Sequence, residues 1–475
     1  MAALKPSVTA WACLLSLSAC AAPRVEAPDV GVAIPERFAA ASRPEAPAAD
    51  HWWKTFGDPR LDTLVERTLT DSPTIGRAIA GVRQARARAG IAGADRLPQA
   101  DIAFSPSRRK LTLESLGIEV PGGENLGSTS YTIDIFDLSA NVAWEVDLWG
   151  RLAAQSAAAR ADLLSSEANL QAVRQSIAAQ IARDYFALIE ARQQVELAEA
   201  AATNATEVAR QIANRVEMGA AQPGDAEQAN ADLGLAHANL EQRREAQARL
   251  TRQFEALLGQ YPDGELAAAA TLPPVPPEPP AGIPADVLAR RPDVAASLLD
   301  LKAAGFRLTA AERSFLPSIE LTGSAGTSST ELSSLFDPDT FVWSIAGRIL
   351  QPVFQGGRLR AQVELRAGER DEALQAYADT VLTALSEVET ALAVEEFLAR
   401  QEQELTTASA AAERAVVISR NRYEVGKEPL LTLLDSQRRA FEARSRLLAA
   451  QRVRLVNRVD LHLALGGGFK NAPAA

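Results

Sequence analysis

The chain repeats itself, and that duplication limits what it can fold into more than any other feature of the sequence. Pro73 and Pro98 stand 25 residues apart, as do Pro292 and Pro317, at a shared offset of 219. In both cases the second proline follows a leucine and ends a polar, alanine-rich segment of helical character, because the residue before a proline is pushed out of the helical region. Further on, Gly150-Arg151-Leu152 recurs as Gly357-Arg358-Leu359, and Asn214-Arg215-x-Glu217-x-Gly219 recurs as Asn421-Arg422-x-Glu424-x-Gly426, each at an offset of 207. A register kept over 64 residues argues for one continuous element in each half, since loops would have drifted. Glycine and proline are absent between Gly150 and Gly219, and only Gly368 intrudes between Gly357 and Gly426. Each half is therefore expected to hold a single helix of roughly 100 Å at ~1.5 Å per residue.

The offset falls from 219 to 207 between Pro98 and Gly150, so the first half carries 12 extra residues in a loop there. The intervals 98–150 and 317–357 read as β-hairpins. Val142, Trp144, Val146 and Leu148 alternate with Ala143, Glu145 and Asp147, and Phe341, Trp343, Ile345 and Ile349 alternate with Ser344, Ala346 and Arg348. The strand pattern alone leaves a half-buried sheet in a soluble domain open. After each long helix a short turn, 219–224 or 426–429, leads into a shorter helix that ends at Gly259 or Gly466. Helices near 74–96 and 292–314 precede the hairpins. Gly150 and Gly357 lie where a strand must turn into a helix, and glycine tolerates the backbone angles of such a junction. Arg151 and Arg358, next in sequence, are solvated helix starts or contacts for phosphate-bearing lipid. Between the halves, Leu272–Pro280 is a proline-rich tether, stiff and extended.

The net charge of -11 excludes a protein that tracks nucleic-acid phosphates. Cys13 and Cys20 both lie in the first twenty residues, leaving no disulfide framework and no thiolate metal site. His51, His237 and His462 are scattered and are expected to be solvated surface groups, so a histidine metal cluster is not expected either. No Ser-His-Asp set, phosphate-cradling loop or metal-ligand spacing supports an enzyme. Lys5, the apolar run Val8–Leu17 and the small residues before Cys20 read as an export signal. Leu17-Ser18-Ala19-Cys20 resembles the lipobox of bacterial lipoproteins, which implies cleavage before Cys20, acylation of Cys20 and, with Ala21 following, sorting to the outer membrane. The alternative is a plain signal peptide. No later stretch reaches ~18 consecutive apolar residues, so further membrane contact must come from strands or lipid.

A unit of alanine-rich helices and four two-faced strands is expected to bury its faces by assembly. Four strands cannot close alone in a bilayer, where a barrel needs at least about eight; three copies supply twelve. At this point the chain resembles the TolC and OprM outer-membrane factors, in the lipoprotein branch that includes nodulation-T-like proteins. The resemblance rests on Trp53-x-x-Phe56-x-Asp58-Pro59-x-Leu61, Trp144-Glu145-Val146-Asp147-Leu148-Trp149-Gly150-Arg151 and Leu288-x-Arg290-Arg291-Pro292-Asp293-Val294, in this order and with the duplication. It implies a mainly α fold with β, in which long antiparallel helices form a trimeric α-barrel and four strands per chain enter a 12-stranded transmembrane β-barrel.

The resemblance implies a passive outer-membrane exit duct of a tripartite efflux or secretion system, extending into the periplasm. A periplasmic adaptor and an inner-membrane pump of RND type would be its partners, with outer-membrane lipid around it and no cofactor beyond lipid on Cys20. A structural coiled-helix lipoprotein is the alternative. The expected organisation is a signal peptide at 1–19, an anchor and equatorial segment at 20–72, a first repeat at 73–260, a linker at 261–284, a second repeat at 285–466 and a tail at 467–475. By the same resemblance, Leu431 and Asp435 constrict the tip, and a threefold ring of Asp435 would attract cations, repel itself and raise its apparent pKa. Tyr423 and Asp225 match a latch of the TolC branch, although its basic member aligns here with Glu428, beside Lys427.

Overall fold

In a computed structural model, residues 34–39, 51–112 and 130–467 are described. Cys20, the rest of the signal segment, the loop of the first hairpin and the last eight residues lie outside them. The first half runs α1 (Pro59–Asp71), α2 (Pro73–Ala94), β1 (Gln99–Thr112), β2 (Ser130–Glu145), α3 (Arg151–Glu217) and α4 (Pro223–Leu257). The second runs α5 (Pro284–Arg290), α6 (Pro292–Arg313), β3 (Ser318–Ser329), β4 (Phe341–Leu350), α7 (Arg358–Glu424) and α8 (Leu430–Ala464). The two long helices have 67 residues each and the two returning helices 35 each, as a register without insertions requires. No described helix is long and apolar enough to cross a membrane.

The start and stop signals act locally. Proline occupies the first turn of α1, α2, α4, α5 and α6, where its missing N–H costs nothing. Gly219 and Gly426 take positive φ just beyond the ends of the long helices, where a left-handed residue closes the last turn. The chain then reverses. α4 packs back along α3, α8 packs along both α7 and α3, and α6 lies between α3 and α7, so the two repeats interlock rather than sit side by side.

The strands form one antiparallel sheet in the order β1-β2-β3-β4. The two hairpins meet along β2 and β3, with Phe136 opposite Ser329 and Glu145 opposite Glu320. β1 and β4 are left as open edges. Every residue of β4 is exposed, including Trp343 at 66% and Ile345 at 80%.

The main hydrophobic core lies against the middle of α3, where Ala178, Ile181, Ala182, Tyr185, Phe186 and Ile189 are buried. These positions follow the i, i+3/i+4, i+7/i+8 spacing of one broad helix face, while Gln180, Arg183, Asp184 and Glu190 stay at least partly exposed on the other. The Trp53-x-x-Phe56-x-Asp58-Pro59-x-Leu61 segment covers the buried face. Trp53, Phe56 and Leu61 enter the core, while the Asp58 carboxylate accepts the N–H groups of Arg60 and Leu61 at the start of α1 and the Tyr185 hydroxyl at 2.8 Å. That motif is thus a helix cap tied to a core.

The Arg290-Arg291-Pro292-Asp293 motif is also structural. Arg291 is 6% exposed and bridges three helices: its guanidinium pairs with Asp293 at 2.6 Å and Glu387 at 2.7 Å and donates to the Ala464 carbonyl at 3.1 Å. Burial would depress its pKa, but the two carboxylates reverse that and hold it above the ordinary value. One expectation fails here. His462 is not a surface group but is 3% exposed, stacked on Trp52 with ring centroids 5.6 Å apart and edge-on to Phe56. Its place on α8 follows from the packing of the N-terminal segment, which local sequence does not reveal. His237 is exposed as expected, and His51 is half-buried with its ring against Trp53.

Candidate functional site

The junction between sheet and helices is built by one short segment. Gly150 caps α3 at φ +77°, and Gly357 caps α7 at φ +87°. A Cβ on Gly150 would lie 2.6 Å from Arg313 Nη1, which itself donates to the Gly150 carbonyl at 2.7 Å. The Asp147 carboxylate accepts the Leu152 and Ala153 N–H groups at 3.1 and 2.6 Å, satisfying two orphan donors at the start of the long helix. Trp149 Nε1 donates to the Pro317 carbonyl at 2.8 Å, tying this corner to the other hairpin. Arg151 pairs with Glu145 at 2.7 Å, so the structure gives it a partner inside the corner rather than a free guanidinium; Arg358 donates to the Gln355 side chain.

At the far end, roughly 100 Å away along a 67-residue helix, the turns between the long and returning helices lie together. Tyr423 is packed against Val208, Ile212, Ala229 and Leu430, and the Arg215 guanidinium sits over its ring at 5.0 Å from the centroid. Burial, with a contribution from the Asp225 charge, raises the Tyr423 pKa. Asp225 is engaged in its own helix start: its carboxylate accepts the Gln222 N–H at 3.2 Å in a reciprocal cap. The structure therefore brings Asp225 and Tyr423 within electrostatic reach, and no direct hydrogen bond joins them among the described residues.

Leu431 is 66% exposed on the first turn of α8, and Asp435 follows one turn later. Both line an open groove of about 810 Å3 between the α3–α4 and α7–α8 pairs. Asp435 is not a bare carboxylate. It pairs with Arg438 at 2.6 Å and Arg439 at 2.7 Å, and the Arg438 hydrogen bond holds its pKa below the ordinary value. Within one chain this is opposite in direction to the rise expected from a self-repelling ring. The two arginines were missed at the level of sequence, yet their i+3 and i+4 spacing from Asp435 is a readable signal for pairing on one helix face.

The model of the family described as outer membrane efflux protein matches residues 64–260 and 283–467. The chain is 32% identical over 468 residues to the pyoverdine export outer membrane protein OpmQ of Pseudomonas aeruginosa, covering 97% of this chain and 96% of that protein. Its fold superposes on the Campylobacter jejuni CmeC outer membrane channel with a TM-score of 0.87 at 25% identity, covering 95% and 96% of the two chains. It also superposes on the open state of the Neisseria gonorrhoeae MtrE outer membrane channel with a TM-score of 0.82 at 28% identity, covering 95% and 99%.

Proposed function

The chain belongs to the outer membrane efflux protein family, and on that premise we propose that three copies close their sheets into one twelve-stranded barrel above a periplasmic tube of helices. The protein is an outer-membrane channel, the exit duct of a tripartite efflux system, and not an enzyme. The observation that carries the assembly is the open four-stranded sheet with its wholly exposed β4. In lipid each unpaired backbone group at an edge costs several kcal/mol, so β4 of one copy must pair with β1 of the next. The exposed apolar residues of α7, among them Leu382, Phe397 and Val417, then have neighbouring helices to bury against.

In this reading, residues 1–19 are a removed signal, 20–72 the anchor and equatorial segment, 73–260 and 285–466 the two repeats, 261–284 the linker and 467–475 the tail. Gly150 and Gly357 turn the barrel strands into the tube helices. Leu431 and Asp435 form the constriction, and Tyr423 and Asp225 belong to the contacts that hold the tip. A periplasmic adaptor docks at the tip, and the inner-membrane pump is of RND type. Planar-bilayer recording of the detergent-purified protein, with its mass in detergent, tests the duct and gate together. A species of three chains with discrete openings is expected, and Asp435→Ala should raise the single-channel conductance. A conducting trimer whose conductance ignores that substitution removes Asp435 from the constriction; a folded monomer without conductance removes the assembly.

The membrane anchor is a lipid on Cys20, supported by the Leu17-Ser18-Ala19-Cys20 sequence. Cells grown with labelled palmitate should label the mature chain and not its Cys20→Ser variant. Equal labelling of both, or of neither, would remove the anchor.

A further inference from the structure

α8 is a basic helix in an acidic chain: it carries seven arginines against three acidic residues, whereas the whole protein has a net charge of -11. Most of that excess is neutralised by pairing. Arg438 and Arg439 hold Asp435, and Arg438 also holds Glu442, so these four charges at the start of the helix balance. Arg452 pairs with Glu190, and Arg454 and Arg458 pair with Glu395. Arg444 and Arg446 remain, both exposed and without an ion-pair partner among the described residues.

Helix geometry separates these two. Arg446 follows Asp435 by eleven residues, three turns at ~100° per residue, so it lies within about 20° of the same face and about 16 Å further along the axis. Arg444 follows by nine residues and leaves the helix about 180° away, although its side chain still borders the rim of the same groove. Arg446 lines the groove that Asp435 lines and also the next depression along the α7–α8 pair, beside Gln401, Glu404 and Ala449. Resting on the reading that Asp435 faces the bore, we infer that Arg446 forms a ring of three guanidiniums next to a charge-balanced constriction, and that this ring selects for anionic cargo. Three unpaired positive charges around a narrow aqueous path raise the local concentration of anions and oppose cations. The carboxylates near enough to offset this charge are Glu404 on the facing helix, Glu413 across the groove and Glu442 one turn earlier; Glu442 is held by Arg438, and none of the three forms an ion pair with Arg446.

The experiment is the reversal potential of single channels in a potassium chloride gradient for wild type, Arg446→Gln and Asp435→Asn. Arg446→Gln should shift the reversal potential toward potassium selectivity and steepen block by a divalent cation, and Arg444→Gln, whose side chain leaves the opposite side of the helix, should shift both clearly less. If Arg446→Gln leaves the reversal potential in place while Asp435→Asn changes conductance, the ring is overturned and the constriction stands. If neither substitution changes any channel property, the constriction falls and the ring falls with it. A shift of equal size in Arg444→Gln would assign the effect to general surface charge and also overturn the ring.

Discussion

Replacing Glu395 with alanine is expected to destabilise the folded chain by about 3–5 kcal/mol, the cost of leaving a buried charge without its partner. Glu395 is 7% exposed on α7 and gathers three side chains from α8. One carboxylate oxygen accepts from Arg458 at 2.8 Å and Arg454 at 3.1 Å, and the other accepts from Asn457 at 3.1 Å. Arg454 keeps a second partner in Glu402. Arg458 does not: it is 2% exposed, its Nε and Nη1 have no other acceptor among the described residues, and burial already lowers its pKa. Thermal melting of the detergent-purified protein should show a large drop for Glu395→Ala and a smaller one for Glu402→Ala. The double variant Glu395→Leu with Arg458→Met should recover much of the loss, because a buried pair replaced by apolar groups of similar size is often neutral. An unchanged melting temperature for Glu395→Ala, or no recovery in the double variant, would show that the pair does not hold α7 to α8.

Acid should weaken the same region through His462. Burial, followed by the nearby Arg458 charge, lowers its pKa from 6.5 to about 4. The folded protein therefore keeps the ring neutral in a range where the unfolded chain protonates it. With the folded pKa depressed, the unfolded state binds more protons between the two values, so stability falls as pH drops from about 6.5 through about 4. The full effect is about 3 kcal/mol, from ~1.4 kcal/mol per unit. Neither ring nitrogen has a hydrogen-bond partner among the described residues, so nothing stabilises the charged form in place. Melting curves from pH 7.5 to 4.5 should slope downward for wild type and much less for His462→Phe, which keeps the stack on Trp52 without the titration. Parallel slopes would assign the acid response to other groups.

The candidate site was legible in outline. Glycine at 150 and 357 announced a change of backbone direction because Gly150 precedes a long stretch free of glycine and proline and Gly357 one interrupted only by Gly368, and both hold left-handed φ in the structure. The pairing of Asp435 was missed, although Arg438 and Arg439 sit three and four residues away on the same helix face. The surroundings of Tyr423 were not legible: Arg215 and Asp225 reach it from the other repeat, about two hundred residues earlier, and only the packing of the two tips brings them there.

The sequence by itself determined the elements and their lengths. Two stretches of the repeat that keep register without insertion demanded equal long helices, prolines and glycines set their ends, and alternation marked the strands, all from interactions that span a few residues of chain. Only the tertiary structure decided which elements meet. That β2 rather than β1 pairs with β3, that α6 lies between α3 and α7, and that Glu395, Arg458 and His462 are buried are consequences of contacts between segments remote in sequence. Burial sets the cost of a charge, and burial belongs to the packed molecule. A sequence can therefore name an arginine or a histidine on a helix, but the fold decides whether it is a solvated surface group or one on which stability depends.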